Sequence, residues 1–145
     1  CVIKTFYTFS GKVVYCGQIP NAAKMKLANN LLLITMLNGL MEAVNFAKNI
    51  GLDEKEYFDM IDAGPMANSV YQSKYQKIID QDDRPQAPLR LVYKDALLIC
   101  ELAEEQGISL PLFTAHCSLL KKGVAGGLGD LDVVTIIKEL KNSNQ

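Results

Sequence analysis

Residues 22–50, AAKMKLANNLLLITMLNGLMEAVNFAKNI, form an apolar stretch of helical period about 29 residues long, against roughly 11 to 12 for an average helix. A helix that is apolar on most of its faces is stable in water only where other elements cover it. The stretch therefore predicts a central helix with the rest of the chain folded around it. Asn29, Asn30, Thr35, Asn38 and Glu42 interrupt it, whereas a bilayer helix needs about 20 predominantly apolar residues, so it reads as the core of a soluble domain and not as a membrane span.

The punctuation of the remaining chain extends that reading to roughly five to seven helices, an all-α domain over residues 18–145. Gly51 ends the long helix, and Asp53 with Glu56 forms a capping box for a helix through about Ile61. Gly64-Pro65 restarts the chain into a helix over residues 66–79, and QDDRPQAP is a loop. Residues 89–106 are amphipathic and stop at Gly107, and Pro111 opens a helix over residues 112–122. The Gly-rich run at residues 123–129 is expected to be a flexible link, with Asp130 capping a last helix through about Leu140.

Residues 1–17 do not fit this pattern. The run from Lys12 to Cys16, ending at Gly17, reads as a single β-strand, and a lone strand leaves its backbone groups unpaired. The segment is expected to be the tail of a preceding, truncated α/β domain, which would make the chain a fragment.

Composition narrows the function classes. The 145 residues suit one core, and a net charge of -1 gives neither the basic footprint of a nucleic-acid binder nor a polybasic membrane surface. Cys1, Cys16, Cys100 and Cys117 contain no CxxC pair and have only His116 as company, so no zinc site is expected. Reduced, mostly buried thiols and the absence of a visible signal peptide point to the cytoplasm. His116 beside Cys117 lacks a supporting acid and reads as packing. Glu42, flanked by Leu40, Met41, Ala43 and Val44, reads as a paired or interfacial charge. GVAGGLG has neither the leading strand nor the GKS/GKT of a phosphate-binding loop.

The best clue to chemistry is Lys26 and Asn30, four residues apart and so on one face of the long helix. A lysine desolvated by a packed interior has its charged form disfavoured and its pKa drawn down toward neutrality, as a general acid or base requires. From the residues alone, a lysine one turn inside a helix start is more often a snorkelling stem, and Asn30 reads equally as a satisfied core amide.

KMKLANN, LVYKDALLICELAEEQGISLPL and GLGDLDVV, in that order, resemble the C-terminal helical domain of the β-hydroxyacid dehydrogenases, the 3-hydroxyisobutyrate dehydrogenase-like relatives of 6-phosphogluconate dehydrogenase. The resemblance covers nearly the whole chain, with residues 2–17 similar to the end of the family's N-terminal Rossmann domain. It implies an NAD- or NADP-dependent oxidoreductase acting on a small 3-hydroxy acid, with the cofactor bound mainly by the Rossmann domain and subunits joined as homo-oligomers through the long helix. Lys26 and Asn30 fall on the lysine and asparagine of the family's G-x-G-x-x-x-K-x-x-x-N motif, which implies a general acid/base and a substrate-binding amide. Both motif glycines are replaced, by Pro20 and Ala22. Lys94 and Asp95 match the family's K-D signature, implying a cofactor contact and a carboxylate near Lys26. Ala87 stands where an aromatic usually precedes that pair. The chain itself has no GxGxxG turn for a pyrophosphate and by itself is expected to be inactive. The competing expectation is a non-catalytic helical scaffold derived from the same family. An α-helical carrier of an apolar ligand rests on the Met- and Leu-rich composition alone.

Overall fold

The computed structural model describes residues 5–142, so Cys1 and the start of the segment at residues 1–17 lie outside it. Six helices follow one another: α1 (Asn21–Asn49), α2 (Glu54–Ala63), α3 (Ser69–Ile79), α4 (Leu89–Glu105), α5 (Pro111–Gly123) and α6 (Ile137–Asn142). A π-helical turn at Val124–Leu128 and a 3-10 turn at Val133–Ile136 connect the last two. The domain is all-α, as the periodicity predicts.

Helix α1 spans 29 residues and stops at Gly51, whose φ of 87° is a conformation that L side chains avoid. Ile34, Leu37, Leu40, Met41, Val44 and Ala47 form its buried stripe at helical spacing. That stripe packs on α4 most extensively and on α2, α3, α5 and α6 besides. Phe58, Ile78, Leu89, Ala96, Ile99, Phe113, Leu120 and Ile136 complete the core. No residue of α1 before Ile34 is fully buried. Full enclosure by the other helices, expected for the whole of α1, therefore holds only for its second half, while Leu27, Leu31 and Leu33 are partly buried against the core. In length and hydropathy α1 would also pass for a membrane span, but in this fold its second half is covered by protein.

Local chemistry explains the other boundaries. The Asp53 carboxylate accepts the Glu56 N–H at 3.0 Å and starts α2 as the capping box predicts. Helix α3 begins at Ser69, three residues later than expected, because the Asn68 side chain accepts the Tyr71 N–H at 3.0 Å and fixes the cap there.

Three expectations are corrected. Residues 12–17 form no strand and join no ladder, and among the described residues no strand is present to pair with them. Residues 123–129 are not a flexible link: α5 runs directly into the π-helical turn, and Gly123 is buried where an added Cβ would lie 2.8 Å from Ile136 Cδ1 and 2.9 Å from Leu89 Cδ2. Asp130 caps nothing and pairs with Arg90 at the surface, while the Asp132 side chain accepts the Val134 N–H at the start of the 3-10 turn.

Candidate functional site

The Asn30 amide donates to the Asp95 carboxylate at 2.9 Å, across 65 residues of sequence. This hydrogen bond joins α1 to α4 beside the core, with both side chains half-buried. Lys26 stands one turn before Asn30 on α1, on the same helix face, and Lys94 precedes Asp95 on α4, where neighbouring positions point in different directions. Both lysines are exposed, and among the described residues neither makes an ion pair. The four residues singled out in the sequence thus lie on two packed helices, and two of them touch.

Two details differ from the sequence reading. Lys26 is not buried by this chain: it is exposed, although Leu27 beside it packs against the core. Asp95 is joined to Asn30 and not to Lys26. Glu42, expected to be paired or interfacial, is exposed, and its charge raises the pKa of half-buried His116 against the larger downward effect of burial.

A second cluster escaped the sequence reading. Asp132 is 0% exposed and Lys74 5%, and Lys74 Nζ donates to the two Asp132 carboxylate oxygens at 3.0 and 3.2 Å. Asp132 also accepts the backbone N–H of Gln86 at 2.8 Å, of Ala87 at 2.9 Å and of Val134 at 3.3 Å. Burial pushes the Asp132 carboxyl up, but these backbone donors and Lys74 together outweigh it and hold its pKa below the usual carboxylate value. The Lys74 ammonium additionally reaches Gln86 Oε1 at 3.1 Å. The network fixes the loop that leads into α4, since Leu89 N–H also binds Leu131 C=O and Val133 N–H binds Ala87 C=O. Ala87, where the family motif favours an aromatic, is therefore a backbone anchor. The signals in the sequence were weak: LDVV places a carboxylate at the head of an apolar run, and Lys74 shares a helix face with Tyr71 and Ile78.

On the flank of α1 roughly opposite Lys26, an apolar groove of about 300 Å³ runs between α1 and α4, lined by Leu27, Ala28, Leu31, Ile99, Leu102 and Ile108 among others. No group of three or more His, Cys, Asp or Glu side chains is placed to hold a metal among the described residues.

A family model described as NAD-binding of NADP-dependent 3-hydroxyisobutyrate dehydrogenase matches residues 21–140. Glyoxylate/succinic semialdehyde reductase 1 of Arabidopsis thaliana is 32% identical over 143 residues, which are 99% of this chain and 50% of that protein. The cytokine-like nuclear factor N-PAC of Aedes aegypti is 28% identical over 127 residues, 88% of this chain and 23% of that protein. In fold, the chain is similar to a 3-hydroxyisobutyrate dehydrogenase of Mycobacterium tuberculosis, solved with L-serine, at a TM-score of 0.81 and 23% identity over 90% of this chain and 47% of that one. The chain thus spans about half the length of these dehydrogenase and reductase relatives. With a match that runs from the first turn of α1 to α6, the chain belongs to the 3-hydroxyisobutyrate dehydrogenase family.

Proposed function

We propose that this chain is the helical, substrate-binding part of an NAD- or NADP-dependent oxidoreductase that acts on a small 3-hydroxy acid. The observation that carries the reading is the Asn30–Asp95 hydrogen bond, which brings together two separate family motifs, each with an exposed lysine. Lys26, as the free amine, takes the proton from the substrate hydroxyl during oxidation and returns it during reduction. Asn30, held in orientation by Asp95, presents its remaining hydrogen-bonding groups to the substrate. The ammonium of Lys94 suits an anionic partner, either the substrate carboxylate or the dinucleotide. NAD or NADP, when bound, supplies the hydride acceptor. The described residues fit that cofactor only at its edge, through these lysines, since they contain no GxGxxG turn for its pyrophosphate.

An upstream Rossmann domain closing over the exposed face of the first half of α1 would exclude water from Lys26 in the assembled site. Residues 1–17 would be the end of that domain, and residues 18–145 the helical unit that also joins subunits in a homo-oligomer through α1. We place the enzyme in the cytoplasm, on the strength of its unpaired cysteines.

One observation favours a second reading, a non-catalytic scaffold. Asp95 is taken up by Asn30, which leaves Lys26 without a carboxylate partner among the described residues, and both motif glycines are replaced.

The test is made on the full-length parent polypeptide. Reduction of NAD+ and NADP+ is followed with a panel of short 3-hydroxy acids, for wild type and Lys26→Ala at several pH values. The expected outcome is wild-type turnover that falls about 10²- to 10⁴-fold in the variant, together with loss of the rise in rate with pH that deprotonation of a basic group governs. Turnover unchanged in Lys26→Ala removes the lysine from the chemistry. Absence of turnover in both proteins, with nucleotide binding intact, establishes the scaffold reading.

A further inference from the structure

Helices α2 and α3 hold between them a cavity of about 120 Å³ that shares no residue with the Asn30–Asp95 site. Phe58 and Asp62 reach it from one face of α2, and Tyr71, Gln72 and Tyr75 from one face of α3, at three- and four-residue spacings. Phe58, 4% exposed, is its floor, and the Phe58 and Tyr75 rings meet there with centroids 4.8 Å apart and planes at 74°. Half-buried Tyr71 and Tyr75 are its walls, and exposed Asp59, Asp62 and Gln72 stand at its rim. Three aromatic rings thus line a space whose mouth carries two carboxylates.

Those carboxylates lack a counter-charge. No Lys, Arg or His lines the cavity. Asp62 accepts the neutral Gln72 amide at 2.7 Å, and among the described residues the Asp59 side chain has neither a hydrogen bond nor an ion pair. The helix around them adds to the field, since residues 53–62 carry Asp53, Glu54, Glu56, Asp59 and Asp62 against Lys55 alone. Carboxylates at the mouth and the negative faces of aromatic rings inside both attract a cation that sheds water readily. A hard metal ion does not fit, because it takes about six or more oxygen ligands, and no group of three or more His, Cys, Asp or Glu is placed to hold one among the described residues. An alkylated ammonium, bulky and weakly hydrated, does fit. A protein cavity of about 150 Å³ holds benzene, so this slightly smaller one suits a head group of roughly five heavy atoms.

We propose that the α2–α3 cavity binds a small alkylammonium compound, whose head group enters between Phe58, Tyr71 and Tyr75 with its charge balanced by Asp59 and Asp62. The test is a calorimetric titration of the full-length parent polypeptide with choline chloride at constant ionic strength, beside 3,3-dimethylbutan-1-ol, the neutral compound of the same shape. Choline should bind saturably at one molecule per chain, and the alcohol about tenfold more weakly or not at all, because it lacks the charge. Asp59→Asn should weaken choline roughly two- to fivefold and leave the alcohol as it was. Tyr71→Leu should weaken choline by a similar factor through loss of one ring. Asp59 is exposed and fastens nothing in the fold, so its variant is read even if Tyr71→Leu fails to fold. The proposal is overturned if choline gives no saturable heat, if the alcohol binds as tightly as choline, or if Asp59→Asn leaves choline binding unchanged.

Discussion

Replacing Asp132 with alanine removes the counter-charge of a lysine that is only 5% exposed and the acceptor for three backbone donors. Breaking a buried ion pair from one side costs about 3 to 5 kcal/mol, and each buried N–H left without an acceptor adds roughly 1 to 3. The Gln86 and Ala87 donors are only part-buried, so water recovers much of their share. A loss of about 4 to 6 kcal/mol follows, against a total stability of about 5 to 15 for a native domain. Urea unfolding followed by circular dichroism should show a midpoint far below that of wild type, or a chain already unfolded in buffer. Lys74→Met tests the pair from the other side, and the double variant Lys74→Met/Asp132→Asn should be less destabilised than the sum of the singles. The pH dependence has a definite sign. Asp132 has its folded-state pKa lowered from 3.8, so its contribution is present in full above that value and is lost as the pH falls below it toward the lower native value. A loss below about 1 kcal/mol for Asp132→Ala, or singles that simply add, would refute the clamp.

Two further substitutions test the packing. Asn38 is 2% exposed and neither its amide nitrogen nor its oxygen has a hydrogen-bond partner, so Asn38→Leu should raise stability by about 1 to 2 kcal/mol in the same urea assay; destabilisation would reveal a partner for the amide. Gly123→Ala should lower stability by about 1 to 3 kcal/mol, because its new methyl meets Ile136 and Leu89 inside 3.0 Å, and an unchanged thermal midpoint would show that the side chains step aside freely.

The parts of the fold that depend on near neighbours in sequence were legible there. The 3.6-residue period gave α1 and α4, and Gly51, Asp53 and Pro111 set boundaries within a residue or two, because capping and φ preference act over a single turn. Lys26 and Asn30 stood out by their four-residue spacing, Lys94 and Asp95 came from a resemblance between ordered motifs, and the structure puts all four on two packed helices. Burial was harder to read. Met25 and Leu27 make the surroundings of Lys26 look apolar, yet its exposure is decided by how far along α1 the other helices reach. Lys74 sits in SVYQSKYQKII, which reads as a solvated face, and only a carboxylate 58 residues away makes it a core residue. Asp130 was the expected cap, and Asp132, two residues further on, takes that role at the 3-10 turn instead.

The uneven covering of α1 gives one continuous helix two different stabilities. Amides from Ile34 to Ala47 can exchange with solvent only when the core opens, while those near Lys26 need only the first turns to fray, a far smaller opening. The Asn30–Asp95 hydrogen bond marks the boundary between the two regimes, and Leu27, packed against the core one turn earlier, is the last fastening before the loose end. A base carried just beyond that fastening can shift by a turn's worth of fraying without disturbing the core, so whatever packs against this end of α1 governs both where Lys26 stands and how long it stays there.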